Sequence, residues 1–222
     1  MRLADYKDLI NRMPVSAHAF TCSRKNWSPY FDRRRKFGRA LSRIFANHDE
    51  ITIARSDLRE LGGQKDLDAF VVATILWGYP AGMRGTNIAN ISDSLPKLIT
   101  LLQAVRERTI TDWPAHCESL RIIEGVGLST YTKLLAFLAA PVNGCIALIL
   151  DQRIAGIAER QAFHEMTPIR GLTYDNGLRR YPEYLHWIHA TARMLDVPAE
   201  NLEFFLYEFG ANLKDITSSP RS

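Results

Sequence analysis

The sequence predicts an all-α protein, and three observations carry that prediction. Apolar residues recur at helical spacing through most of the chain, alternating runs of strand length are nearly absent, and glycine- or proline-bearing turns separate the periodic segments. Taken in order, residues 1–30 are weakly patterned and read as an N-terminal extension ahead of a main domain over 31–216. Phe37, Ala40, Leu41, Ile44 and Phe45 fall at i, i+3, i+4, i+7 and i+8, which puts one stripe on a helix over about 32–47. Residues 51–54 are the one short strand candidate. Leu67, Phe70, Val71 and Ile75 repeat the helical spacing, as do Leu185, Ile188, Ala192 and Leu195, and then Leu202, Phe205, Leu206 and Phe209, with Gly210 placed to cap the last. Turns are expected at 24–29, 62–63, 78–85, 125–127, 141–144 and 167–177. Residues 161–180 read as a long loop, and 217–222 as a fraying tail.

Composition narrows the function classes. With 222 residues, 46% hydrophobic and 23% charged, the chain can bury a sizeable core without disulfide or metal, and no run is long enough to span a bilayer. Setting 28 basic against 24 acidic residues leaves +4, a modest excess that suits an anionic partner without requiring one. Cys22, Cys117 and Cys145 lie far apart with no paired spacing, so zinc fingers and cysteine-held iron-sulfur clusters lack ligands and no metal or cofactor is expected. The apolar start is broken by Asp5, Lys7 and Asp8, which argues against a secretory leader and, with the unpaired cysteines, for a reducing cytoplasm; a monomer is expected.

Residues 120–160 hold the most informative pattern. Gly125-Val126-Gly127 separates two helical stretches, and glycines there permit a tight reversal and let a backbone approach a phosphate. A helix starting near Leu128 would aim its free amides at the turn, although the same turn also serves a plain αα corner. Downstream, Asp151 ends the apolar run 146–150 and precedes a helix carrying Ile154, Ile157 and Ala158.

These residues resemble the helix-hairpin-helix DNA glycosylases. Ile123-Glu124-Gly125-Val126-Gly127 stands where that family has its hairpin, with Glu124 for the usual proline, and Leu150-Asp151-Gln152-Arg153-Ile154 where it has apolar-Asp-x-His-apolar, with Arg153 for the histidine. The 8-oxoguanine glycosylase branch and its bacterial OGG-fold relatives are the most similar, because Asn87-Ile88-Ala89-Asn90-Ile91 and Phe209-Gly210-Ala211-Asn212-Leu213 also resemble blocks of that branch. The resembling blocks cover about 70–160 and 200–214, and the first 60 residues resemble nothing nameable.

The resemblance implies a two-lobed fold with a cleft between lobes and a DNA substrate whose target base is flipped out. Gly125, Val126, Gly127, Ser129, Arg153 and Asn87 are the expected DNA contacts, and Arg84, in the loop 78–85, is a candidate to fill the gap left in the duplex, although a plain surface loop is the simpler reading. Trp77, Tyr79, Phe205 and Phe209 are the candidate walls of the base pocket, each also suited to a core. Asp151 is the candidate catalytic carboxylate, since breaking an N-glycosidic bond builds positive charge on the sugar; an N-cap role would explain it equally simply. Two departures bear on chemistry. The branch's catalytic lysine position is Ser129, and Lys133, four residues on, either shares its helical face as the nucleophile or lies along the helix with its ammonium in water. Phe205 stands where the branch carries a base-reading glutamine, so specificity for 8-oxoguanine does not transfer. The reading is a DNA N-glycosylase for a modified purine-like base. One alternative is a hairpin module that binds nucleic acid without catalysis. Another, since OGG-fold proteins also occur in antiviral defence, is an enzyme acting on a nucleobase outside duplex DNA.

Overall fold

A computed structural model describes residues 1–32, 35–83 and 85–213. Its helices follow the apolar stripes. In chain order the elements are α1 (Lys7–Asn11), β1 (Ala19–Ser23), α2 (Arg24–Trp27), α3 (Lys36–Phe45), β2 (Glu50–Ala54), α4 (Arg55–Gly63), α5 (Leu67–Gly78), α6 (Asn87–Glu107), α7 (Trp113–Arg121), α8 (Leu128–Phe137), β3 (Pro141–Val142), β4 (Cys145–Ile146), α9 (Gln152–Glu159), α10 (Tyr174–Gly177), α11 (Tyr181–Leu195) and α12 (Ala199–Phe209). Short 3-10 turns lie at Leu3–Tyr6, Val15–Ala17, Ser28–Tyr30 and His164–Ile169. The fold is all-α with two minor two-stranded sheets. Among the described residues no helix is long and apolar enough to cross a membrane.

The chain divides into two compact units, Ser16–Ala147 and a second formed by Met1–Val15 with the chain from Leu148 onward. In the first, α5 is the centre. Nearly every residue from Leu67 to Trp77 is buried, as an all-round apolar helix must be. Around it pack α3, α4, α6, α8 and the β1–β2 ribbon, and Asp66 starts it by accepting from the Ala69 N–H at 3.1 Å. In the second unit α12 packs on α1, α9 and α11.

Several elements differ from the sequence expectation, each for a physical reason. β1 pairs antiparallel with β2, Thr21 opposite Thr52, yet only Cys22 of its residues is buried, so no alternating apolar pattern marks it. The helix over 32–47 is shorter, beginning at Lys36 and ending at Phe45, where Ala46 turns to a positive φ of 45°. The 24–29 turn is a helical turn followed by a 3-10 turn, and 161–180 holds a 3-10 turn and α10 rather than continuous loop. Residues 1–15 are tied into the second unit. The Leu3 N–H donates to Glu165 Oε1 at 2.9 Å, the Asn201 amide to the Ile10 carbonyl at 3.0 Å, and Tyr6 lies 5.3 Å from the Phe205 ring. The expected tail 217–222 lies outside the described residues.

Candidate functional site

In the Ser16–Ala147 unit, the turn between α7 and α8 needs its first glycine twice over. Gly125 has φ +82°, and a Cβ there would stand 2.6 Å from the Asn87 carbonyl oxygen and 2.9 Å from Ile91 Cγ1. The hairpin therefore lies directly against the start of α6 and brings Asn87 to its side. Val126 is buried beneath it. Gly127 is the N-cap of α8, makes no side-chain cap and has open space where a side chain would be. Ser129 follows, half-buried, in the first turn of α8. The amides of that turn have no side-chain oxygen from the cap position to receive them. The two arms of the hairpin are tied by a hydrogen bond between His116 of α7 and Tyr131 of α8, whose rings stack with centroids 5.7 Å apart. Burial holds the His116 pKa below 6.5 and pushes the Tyr131 phenol upward.

Lys133 does not extend into water. It is only 7% exposed, its Nζ donates to the Ser129 carbonyl of its own helix at 3.2 Å, and its stem lies along Gly78 at the end of α5. Tyr79 reaches the same contact, sharing a 3.1 Å hydrogen bond with the Thr130 hydroxyl. Beneath them Trp77 is enclosed by the rings of His18, Phe20 and Phe137 and by the Arg55 guanidinium 5.4 Å away. The hairpin, Asn87, Ser129, Lys133, Tyr79 and Trp77 thus belong to one unit, and Arg84 lies outside the described residues.

The second unit holds the remaining candidates. Asp151 is the N-cap of α9: its Oδ1 accepts the Ile154 N–H at 3.1 Å, while its Oδ2 takes no hydrogen bond among the described residues. The residue is 8% exposed, a carboxylate largely removed from bulk solvent. Arg153 is exposed and its guanidinium lies 4.8 Å over the Tyr207 ring, which in turn stacks on Phe204. Phe205 is fully buried in an aromatic cluster with Tyr6, Phe163 and Phe209, of which Phe209 is partly exposed. Gly210 ends α12 where any Cβ would meet Ile157 Cδ1 at 2.7 Å, so its lack of a side chain lets α12 close onto α9. Three groups that the sequence reading missed support the chain before Asp151: Tyr181, Tyr184 and Glu203 bond to the backbone of Leu148 and Ile149. A charged residue inside the apolar run Leu202-Glu203-Phe204-Phe205-Leu206 was the available signal for the last of them.

A glycine hairpin therefore opens α8, and an aspartate opens α9. Residues 13–207 match the family model described as "Putative 8-oxoguanine DNA glycosylase OGG-like protein". The chain belongs to this OGG-like family. No curated protein and no solved structure gives a match. The OGG-like match begins at residue 13, so the expectation that the first 60 residues resemble nothing nameable is corrected: family-level similarity extends through α2, α3 and the β1–β2 ribbon.

Proposed function

We propose that the protein is a DNA N-glycosylase that releases a modified, purine-like base by hydrolysis. The observation that carries this reading is the Asp151 carboxylate, nearly buried, held rigidly as the α9 cap through one oxygen and with the second oxygen unbonded among the described residues. A fixed negative charge of this kind stabilises an oxocarbenium ion more than the neutral nucleoside, and it can orient the water that attacks the sugar. The hairpin supports the same reading, because Gly127 leaves the first amides of α8 open to a backbone phosphate. Arg153, exposed two residues after Asp151 with its guanidinium over the Tyr207 ring, supplies a second phosphate contact.

Lys133 favours base release without strand cleavage. Its amine donates to its own helix and its side chain is packed against α5, so attack on a sugar carbon would require the lysine to leave that packing. Release of free base from a panel of lesion-bearing oligonucleotides tests the proposal, with Asp151→Asn as control and borohydride trapping in parallel. Wild type releases base, the variant does not, and trapping is weak. Equal release by both proteins, or release by neither from any substrate, makes the chain a nucleic-acid-binding module. A strong adduct abolished by Lys133→Ala would make Lys133 the nucleophile.

A further inference from the structure

The backbone that delivers Asp151 to α9 is buried but belongs to no sheet. Leu148, Ile149 and Leu150 are each at most 6% exposed, yet they fall in no strand. Buried peptide groups require hydrogen-bond partners, and here three side chains from outside the segment supply them. The Tyr181 hydroxyl accepts the Leu148 N–H at 3.2 Å and donates to the carbonyl of the same residue at 2.6 Å. The Tyr184 hydroxyl donates to the Ile149 carbonyl at 2.8 Å, and Glu203 Oε2 accepts the Ile149 N–H at 3.3 Å. The two tyrosines sit one turn apart on α11 with stacked rings, and Glu203 comes from α12, so two separate helices grip consecutive peptides.

Glu203 is the telling member. It is 1% exposed and flanked in sequence by Leu202, Phe204, Phe205 and Leu206, all buried. Packing alone would be served better by leucine there, because withdrawing a carboxylate from water is costly and a hydrophobic residue of similar volume is often neutral or stabilising. What a leucine lacks is the acceptor for Ile149, two residues before the carboxylate that the proposed chemistry uses.

We propose that Glu203, together with Tyr181 and Tyr184, is a positioning frame for Asp151: it fixes the peptides just upstream of the carboxylate and so fixes where its charge is placed under the sugar. This inference rests on the glycosylase reading. Catalytic geometry tolerates little displacement, since about 1 Å of misplacement can cost on the order of 100-fold in rate.

The test compares Glu203→Leu, Glu203→Gln and Tyr184→Phe with wild type and Asp151→Asn in the full chain. Base release under single turnover, affinity for the same oligonucleotide, and amide hydrogen exchange at Ile149 and across α11 are measured for each. Glu203→Leu is expected to lower the release rate by about 10-fold to 100-fold with unchanged affinity. Its Ile149 amide should exchange at least about tenfold faster while those of α11 keep their rates. Glu203→Gln, whose amide oxygen accepts the same N–H, restores rate and protection to within a few-fold. Tyr184→Phe removes one hydroxyl at little cost to packing and gives a smaller loss of the same kind, so the idea remains testable if Glu203→Leu does not fold. An unchanged rate in both Glu203→Leu and Tyr184→Phe, a loss that glutamine does not rescue, or a parallel loss of affinity overturns the frame while leaving the glycosylase reading intact. Wild type as inactive as Asp151→Asn on every substrate overturns that reading, and with it the catalytic role of the frame.

Discussion

Two helix starts, one in each compact unit, are built in opposite ways. α8 begins at a bare glycine: Gly127 offers no cap, its surroundings are open, and the turn is held by the close approach of Gly125 to the α6 backbone. α9 begins at a side chain: Asp151 caps the helix with Oδ1, and its approach is held by buried hydroxyls and a carboxylate. The first arrangement leaves helix amides without a capping oxygen, which the proposed function assigns to a phosphate; the second has its own carboxylate in that place. The difference teaches that one backbone event, the start of a helix, is suited either to receive negative charge or to present it, depending on the residue at the cap.

The largest effect that would break the contrast is at Asp151, and asparagine is the informative replacement because it is as good an N-cap as aspartate. Asp151→Asn should keep stability within a few tenths of a kcal/mol of wild type by urea denaturation, while base release falls by on the order of 100-fold or more. Asp151→Ala should lose both, with about 1 kcal/mol of stability gone with the cap. If asparagine and wild type release base alike, the carboxylate is only a cap and the two helix starts differ in architecture alone.

Gly125→Ala should come next. A residue at φ +82° costs about 1–2 kcal/mol when it has a side chain, and the added carbon must also displace the Asn87 carbonyl 2.6 Å away. A total loss of about 2–3 kcal/mol is expected, against less than about 1 kcal/mol for Gly127→Ala, which enters open space at φ −98°. Similar losses for the two variants would mean that the turn does not depend on its contact with α6.

Gly127→Asp probes the contrast directly by giving α8 the cap that α9 has. Helix stability should rise by a few tenths of a kcal/mol, and DNA affinity should fall about tenfold, because the new carboxylate takes the amides and repels a phosphate. Rising stability with unchanged affinity would remove the hairpin as an anchor. Arg153→Ala acts from the other helix start and should reduce the slope of log affinity against log salt by about one.

Both helix starts were legible in the sequence because each is local. Gly-Val-Gly between two periodic stretches and a lone aspartate before a third are signals contained in a few residues. The stripes of α3, α5, α11 and α12 were legible for the same reason, although their ends shifted. What stayed hidden was non-local. β1 is recognisable only beside β2, residues 1–15 only against Glu165, Phe205 and Asn201, and the grip on Leu148 and Ile149 only once α11 and α12 are in place. Lys133 was legible as to position but not environment, since spacing puts it on the helical face of Ser129 without showing that Gly78 makes room for its stem.

The smallest expected effect concerns acid. The arms of the α8 hairpin are joined through His116, whose folded pKa burial holds below 6.5, and the same unit contains His18, lowered to about 4 by burial and by the neighbouring Arg55. In each case the unfolded chain takes up a proton near pH 6.5 while the folded chain resists it, so stability is full above that pH and declines as pH falls through the window beneath it. Both rings are partly solvated, which keeps the loss modest. Urea midpoints between pH 7.5 and 5 should therefore fall, and His116→Gln, which can still bond the Tyr131 hydroxyl but does not titrate, should flatten part of the slope, with His18 accounting for another part. A ring titration of His116 by NMR decides the sign independently: a folded pKa above 6.5 would make acid stabilise the hairpin, whereas a value below it makes the hairpin the half of the contrast that loosens first in acid.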